Sequence, residues 1–300
     1  MPLTFGKGRQ TKQNRATTEG RWPLKWRALR LEADLSSASC ALPEIYLVTE
    51  GNLLYEGATG RQGLHRGSVV ISHPGNRHQF KQPQGATMLQ ILFLPEWLVP
   101  EAHLILGSPD LFSLFFAQSW FDYPSDQTSF VFTLQPERFR HAEDDLSLLR
   151  EEFGRETRDD AMCKASFLRL LLTISAEFGD FWRRSNRVEL RSEVWDVVGF
   201  MEERIERGAP LRLKEELEPV LGMSIDHFGR VFQKSTGLTL SSYAQRRRLQ
   251  HAAYHLFTSD ESTDKIASKL GFRDTNHLED EFAEGMGQSP REYRARTRES

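Results

Sequence analysis

The last third of the chain states the same pattern twice, and that repetition restricts the fold more than any other feature. Leu221-Gly222-Met223-Ser224 leads to Phe228, Phe232, Gly237 and Tyr243; Leu270-Gly271-Phe272-Arg273 leads to Leu278, Phe282, Gly287 and Tyr293, with the last three intervals identical. Two copies of one supersecondary unit this close together make a tandem module, and a short helix, a Leu-Gly turn and an amphipathic helix read as a helix-turn-helix unit. In each copy the glycine can take the left-handed backbone that ends the first helix, turning Met223 or Phe272 inward. Ser224 can cap the next helix through its hydroxyl. With Phe228 and Phe232 anchoring the inner face at i and i+4, Ser224, Asp226, His227, Gly229, Arg230, Gln233 and Lys234 are left outside, where base edges and phosphates would be met. The second copy offers Arg273, Thr275, Asn276 and His277.

Between the copies, Leu249, Ala252, Ala253 and Leu256 give residues 241–257 the stripe of one uninterrupted helix, about 25 Å long at 1.5 Å per residue. Such a spacer could hold two recognition helices roughly one turn of B-DNA apart, about 34 Å. Arg246, Arg247 and Arg248 lie on it, with Arg246 and Arg248 as further phosphate contacts. The charge is uneven. Residues 224–258 carry five bases against Asp226, whereas residues 273–284 carry Arg273 against Asp274, Glu279, Asp280, Glu281 and Glu284. Carboxylates cannot neutralise phosphates, so the first unit and the spacer helix are expected to carry most of any DNA affinity.

These residues resemble the DNA-binding domain of AraC/XylS-type bacterial transcription regulators: Leu-Gly-Met-Ser-x3-Phe-x-Arg-x-Phe-x4-Gly, then Tyr243, Arg248, Ala252 and Leu256, then Ile266-Ala267-x2-Leu270-Gly271-Phe272 and Gly287-x-Ser289-Pro290-x2-Tyr293-Arg294. The resemblance covers about residues 190–298. It implies two helix-turn-helix units reading adjacent major-groove segments of promoter DNA, an N-terminal sensing or dimerising domain, and RNA polymerase as a partner if the protein is an activator. Two departures stand out. Glu218-Pro219 replaces the family's usual Ala, which predicts a short supporting helix with Pro219 near its start, since proline in a helix interior costs about 3 kcal/mol. Acids occupy the second recognition helix where the family generally has Arg and Lys.

A net charge of −3 and a pI near 6.3 are not those of a generally basic nucleic-acid binder, so DNA contact must be local. Cys40 and Cys163 fit reduced thiols in a cytosol rather than a disulfide framework. No apolar run approaches a membrane span or a signal-peptide core, which predicts a cytoplasmic protein with no membrane partner. Residues 1–30 carry eight basic residues against Glu19 and read as a basic leader, either a solvated tail or an arm that touches DNA.

From 31 to 135 short apolar runs split by Gly, Asn and Pro suggest a small antiparallel barrel: 44–50, 53–56, 67–73 and 86–94. Gly67-x6-Pro74-Gly75-x2-His78 followed by Phe80 resembles the second motif of the cupin-like sensor domains of the same regulators. A catalytic cupin needs several His and a Glu around one metal. Only His78 is suitably placed, His65 and His73 being isolated, so no metal and no cofactor are expected. Glu44, Tyr46, His78 and Gln90 are pocket candidates for a small-molecule effector; the alternative is that they are ordinary barrel residues.

Residues 136–187 read as helical, with Phe139, Leu146, Leu149 and Phe153 on one helix and a more apolar run from Ala161 to Trp182. That second run has more apolar residues than one core-facing stripe needs, which suggests a homodimer contact, the alternative being packing under the barrel. The polar stretch 183–187 reads as a linker. The overall expectation is an α+β chain: a cupin-like barrel, a helical dimerisation segment and an all-α C-terminal domain, acting as a DNA-binding transcription regulator and not as an enzyme. The competing class is a cupin-type isomerase or dioxygenase with an accessory helical domain. A fused DNA-repair methyltransferase would need a reactive Cys beside Pro and Arg, and neither cysteine has that setting.

Overall fold

The computed structural model describes residues 18–19, 23–37, 42–58, 60–122, 129–155, 159–182 and 191–298. Most of the expected basic leader, Cys40 and the 183–187 linker lie outside the described residues. The chain divides into two compact units, and residues 95–112 and 116–122 group with the C-terminal one.

The first unit is built on eight antiparallel strands: β1 (Thr18–Glu19), β2 (Leu24–Arg30), β3 (Leu35–Ser37), β4 (Glu44–Gly57), β5 (Gly60–His65), β6 (Ser68–Ser72), β7 (His78–Phe93) and β8 (Ser129–Thr133). Their order is β1-β2-β7-β4-β6-β8, with β3 also on β7 and β5 on β4. Two expectations are corrected here. Residues 24–30 are a strand paired with β7 from Leu24↔Phe93 to Arg30↔Thr87, and not part of a leader. Leu24 and Trp26 are buried, with Lys25 and Arg27 alternating between them, a period-two signal that the positive charges mask. Residues 44–57, read as two strands, are one strand whose register against β7 shifts between Val48 and Leu54. Gly51 sits at that bulge with φ +69, and a Cβ there would lie 2.3 Å from the Gly85 carbonyl oxygen. The long strand can therefore bend without ending.

Two helices complete this unit, α4 (Pro136–Gly154) and α5 (Asp160–Trp182), numbered after three short ones in the excursion described next. Phe167 of α5 packs on Phe93, with ring centroids 5.2 Å apart, and Phe178 packs on Phe130 at 5.0 Å. Asp145 is buried, takes an ion pair from Arg169 and accepts a hydrogen bond from Thr173 Oγ1 at 3.2 Å, which ties α4 to α5. Cys163, Phe167, Leu168, Leu170, Leu171, Ile174 and Phe178 are all buried within this chain. These residues of α5 are therefore buried within the chain, Phe167 and Phe178 against the sheet.

After β7 the chain leaves the sheet through a 3-10 turn (Pro95–Glu101), α1 (Ala102–Leu106), α2 (Pro109–Leu111), a π turn (Phe112–Phe116) and α3 (Ala117–Trp120). This excursion was read as part of a single barrel spanning 31–135. Instead, most of it packs on the C-terminal helices α6 (Ser192–Glu206), α7 (Leu213–Leu221), α8 (Ile225–Thr236), α9 (Leu240–Thr258), α10 (Thr263–Lys269), α11 (Thr275–Met286) and α12 (Pro290–Arg298). Phe112 meets Trp195 edge-on at 4.8 Å, and Phe121 lies 5.8 Å from Tyr243. Aromatic side chains in the excursion carry this packing; the strand-turn pattern around them hid it.

Candidate functional site

The tandem module forms as its glycines and caps dictate. Gly222, Gly237, Gly271 and Gly287 all have φ between +62 and +76. Ser224 Oγ accepts from the His227 amide at 3.3 Å, and Asp274 Oδ1 accepts from the His277 amide at 2.8 Å, so α8 and α11 both start from a side-chain cap. Pro219 was expected near the start of α7 and falls instead in its last turn. There it leaves the Glu215 carbonyl without its helical donor, and the Glu218 carboxylate accepts from the Ile225 amide across the turn at 2.9 Å.

The two recognition helices differ in what they expose. On α8, Phe228 and Phe232 are fully buried, whereas Ser224, Asp226, His227, Arg230, Gln233 and Lys234 are exposed and Gly229 is half-buried. The one side-chain contact within that set is between Arg230 Nη2 and His227 Nδ1, 3.4 Å apart. In the second unit three of the corresponding groups are engaged by neighbouring acids. Arg273 Nε donates to Asp274 at 2.9 Å, Thr275 Oγ1 donates to Asp264 at 3.1 Å, and His277 Nε2 lies 2.9 Å from Glu281. Asn276, Glu279, Asp280 and Glu284 remain exposed.

The three arginines of α9 do not form the open basic stripe that the sequence suggests. Arg247 is buried and makes a bidentate pair with Glu202, its Nε and Nη2 each 2.8 Å from a carboxylate oxygen. Trp120 covers the guanidinium at 3.5 Å from its ring centroid. Burial pushes the Glu202 carboxyl up, but Arg247 outweighs it and holds the group below the ordinary carboxylate value. Tyr243 donates to the same carboxylate at 2.7 Å. Arg246 Nη1 donates to the Phe121 carbonyl at 2.8 Å. Arg248 is half-buried; burial lowers its pKa, and the nearby Glu281 carboxylate opposes that shift. Sequence reasoning missed Glu202, Trp120 and Phe121, and no local signal marks them, because they lie 45, 127 and 125 residues from their arginine partners.

In the sheet unit the four pocket candidates come together. Tyr46 faces Gln90 across β4 and β7, and Arg27 faces Gln90 across β2 and β7. Gln90 Nε2 donates to Glu44 at 2.7 Å and to the Tyr46 hydroxyl at 2.9 Å, while Arg27 donates to Gln90 Oε1. His78 packs edge-on against Tyr46 with ring centroids 5.2 Å apart. Its Nδ1 lies 3.4 Å from Ser72 Oγ, and its Nε2 is buried with no partner among the described residues. Burial pushes the Glu44 carboxyl up to about 6 and drops His78 to about 4, so the cluster holds a neutral imidazole beside a carboxyl that titrates near neutrality. Arg27 escaped notice because it fell in the supposed leader. Among the described residues no group of three or more His, Cys, Asp or Glu could hold a metal ion.

A helix-turn-helix domain family matches residues 219–296. Over 251 residues the chain is 24% identical to the HTH-type transcriptional activator RhaS of Klebsiella pneumoniae (strain 342), covering 84% of each chain. It is 23% identical over 258 residues to the activator RhaR of Klebsiella pneumoniae subsp. pneumoniae, covering 85% of each. Among solved structures, ToxT from Vibrio cholerae O395, bound to (E)-4-(8-methylnaphthalen-1-yl)but-3-enoic acid, superposes with a TM-score of 0.42 at 12% identity, covering 92% of this chain and 99% of that one. None of the relatives supports the cupin-enzyme alternative.

Proposed function

Since this chain carries an AraC-type helix-turn-helix domain and is homologous to the RhaS and RhaR activators of that family, we propose that it is a sequence-specific DNA-binding activator of transcription, working in the cytoplasm, whose α8 supplies the principal reading surface. One observation carries the assignment of α8: it buries both phenylalanines and leaves a polar face on which Arg230, Gln233 and Lys234 are exposed, as a helix entering the major groove requires. The second unit contributes less, because Arg273, Thr275 and His277 are engaged with their own neighbours. No helix among the described residues is long and apolar enough to cross a membrane. Selecting bound fragments from the source genome with purified protein tests the proposal. Enrichment of no fragment over mixed-sequence DNA would remove it.

The effector site that this reading implies is the Glu44–Tyr46–His78–Gln90 cluster, with Arg27 beside it. A buried imidazole nitrogen without a partner is costly and is relieved by a ligand hydroxyl or carbonyl. The cluster suits a small, neutral, hydrogen-bonding molecule. A homodimer on paired half-sites and contact with RNA polymerase complete the proposal. His78→Phe keeps the ring packing and deletes the nitrogen, so it should abolish the small-molecule response of a reporter while leaving DNA affinity unchanged.

A further inference from the structure

After β7 the backbone leaves the sheet unit at Pro95 and returns to it for β8; in between, all of residues 95–122 except Ser113–Phe115 belong to the unit of the C-terminal helices. What they contribute there is core. The 3-10 turn packs against α9 and α1 against α6, with Trp97 and Leu98 buried. Phe112 meets Trp195 at 4.8 Å, Phe121 lies 5.8 Å from Tyr243, and Trp120 covers the Arg247 guanidinium. Main-chain groups are bound as well. The Ser119 carbonyl accepts from Gln250 Nε2 at 2.9 Å, the Phe121 carbonyl accepts from Arg246 Nη1 at 2.8 Å, and the Asp122 amide donates to the Thr236 carbonyl at 2.9 Å. A Cβ on Gly237 would stand 1.8 Å from the Asp122 carbonyl oxygen, so the end of α8 accepts this stretch only because residue 237 has no side chain.

The same excursion is fastened to the sheet unit at both ends and once in the middle. Upstream, β7 carries Gln90, which binds Glu44 and Tyr46, and the Leu94 amide donates to the Pro23 carbonyl at 3.0 Å. Midway, Phe115 packs on Phe93 with ring centroids 6.3 Å apart. Downstream, β8 begins with Ser129 opposite Ser72, whose Oγ lies 3.4 Å from His78 Nδ1. The only other covalent passage between the units is 183–187, which lies outside the described residues.

We infer that residues 95–122 are a strap that fastens the sensing unit to the DNA-binding helices, so that the DNA-binding unit does not swing free on 183–187 and stays joined when the chain is severed there. Regulation then acts on helices that remain attached to the sensing unit through their own core.

A protease recognition sequence inserted between Asn186 and Arg187 of the full chain, and cut after folding, tests this. The two pieces should co-elute in gel filtration at micromolar concentration, and the cut protein should bind a labelled mixed-sequence duplex as tightly as the uncut chain. Phe112→Ala with Trp120→Ala should let the cut pieces part. If that variant does not fold uncut, Arg246→Ala removes one hydrogen bond to the strap and keeps its aromatic packing; it should raise the concentration at which the pieces part by about fivefold. The inference is overturned if the unaltered pieces separate, or if they co-elute and neither variant loosens them. It is also overturned if the cut protein loses duplex binding that the uncut chain has. The duplex readout rests on the DNA-binding reading above: if neither cut nor uncut chain binds at low salt, that reading falls, and co-elution still decides the strap.

Discussion

The two helix-turn-helix units share a backbone and differ in chemistry. Both turn on a left-handed glycine, both cap the second helix with a side-chain oxygen, and both anchor it with apolar residues four apart. Yet α8 carries Arg230 and Lys234 against Asp226, while α11 carries four acids and no Lys or Arg. In the second unit Arg273, Thr275 and His277 are engaged by neighbouring acids and the exposed groups are mainly carboxylates, whereas the first unit exposes Arg230 and Lys234. Repetition of a fold therefore does not carry repetition of a role: turn chemistry sets the scaffold, and a few surface positions decide whether a scaffold can approach a polyanion.

The largest effect should come from beneath the first unit. Glu202→Ala leaves Arg247 buried without a counter-charge, which should cost about 3–5 kcal/mol in denaturant unfolding. The sign with pH is fixed by the lowered pKa: Glu202 titrates below its ordinary value of 4.5 when folded, near 2, so its contribution is present above pH 4.5 and fades as pH falls toward 2. Glu202→Gln should flatten that acid limb. An unchanged limb would mean that Arg247 does not depend on this carboxylate.

Next comes the contrast itself. Arg230→Ala should weaken specific DNA binding by about 1–3 kcal/mol, while Arg273→Ala should cost no more than a few tenths, because its guanidinium is paired with Asp274. Equal losses in a titration at one salt concentration would erase the distinction between the units. Caps test the shared part: Ser224→Ala and Asp274→Ala should each lower stability by about 1 kcal/mol, since the cap is what the two copies have in common. The smallest effect is expected for the quadruple change of Glu279, Asp280, Glu281 and Glu284 to Gln. If α11 stands off the groove, DNA affinity hardly moves; tightening together with a steeper salt slope would put the helix against phosphates.

Much of this asymmetry is legible in the chain itself, because glycine turns, caps and i, i+4 anchors are local, and so is a run of acids. What was not legible depends on distant partners. Arg247 reads as one of three exposed arginines until Glu202 and Trp120 close around it. Pro219 looks like a helix start because the first turn is where a missing N–H costs least, yet it stands in the last turn of α7. Arg27 reads as leader charge until Gln90 supplies its partner across the sheet. In the sheet, Glu44, Tyr46, His78 and Gln90 were selected from the residues, yet only the register between β4 and β7 puts Tyr46 opposite Gln90.

The tryptophan over Arg247 has a consequence for anyone dissecting the molecule. The helical module is contiguous in space and discontinuous in sequence, since Trp120 enters it from far upstream. A truncation that begins at residue 188 keeps every helix-turn-helix residue and strips the aromatic lid from a buried cation. Grafts and chimaeras cut at that point would bring along the reading surface without its keystone, and a weak or insoluble fragment would then report on the cut and not on the module.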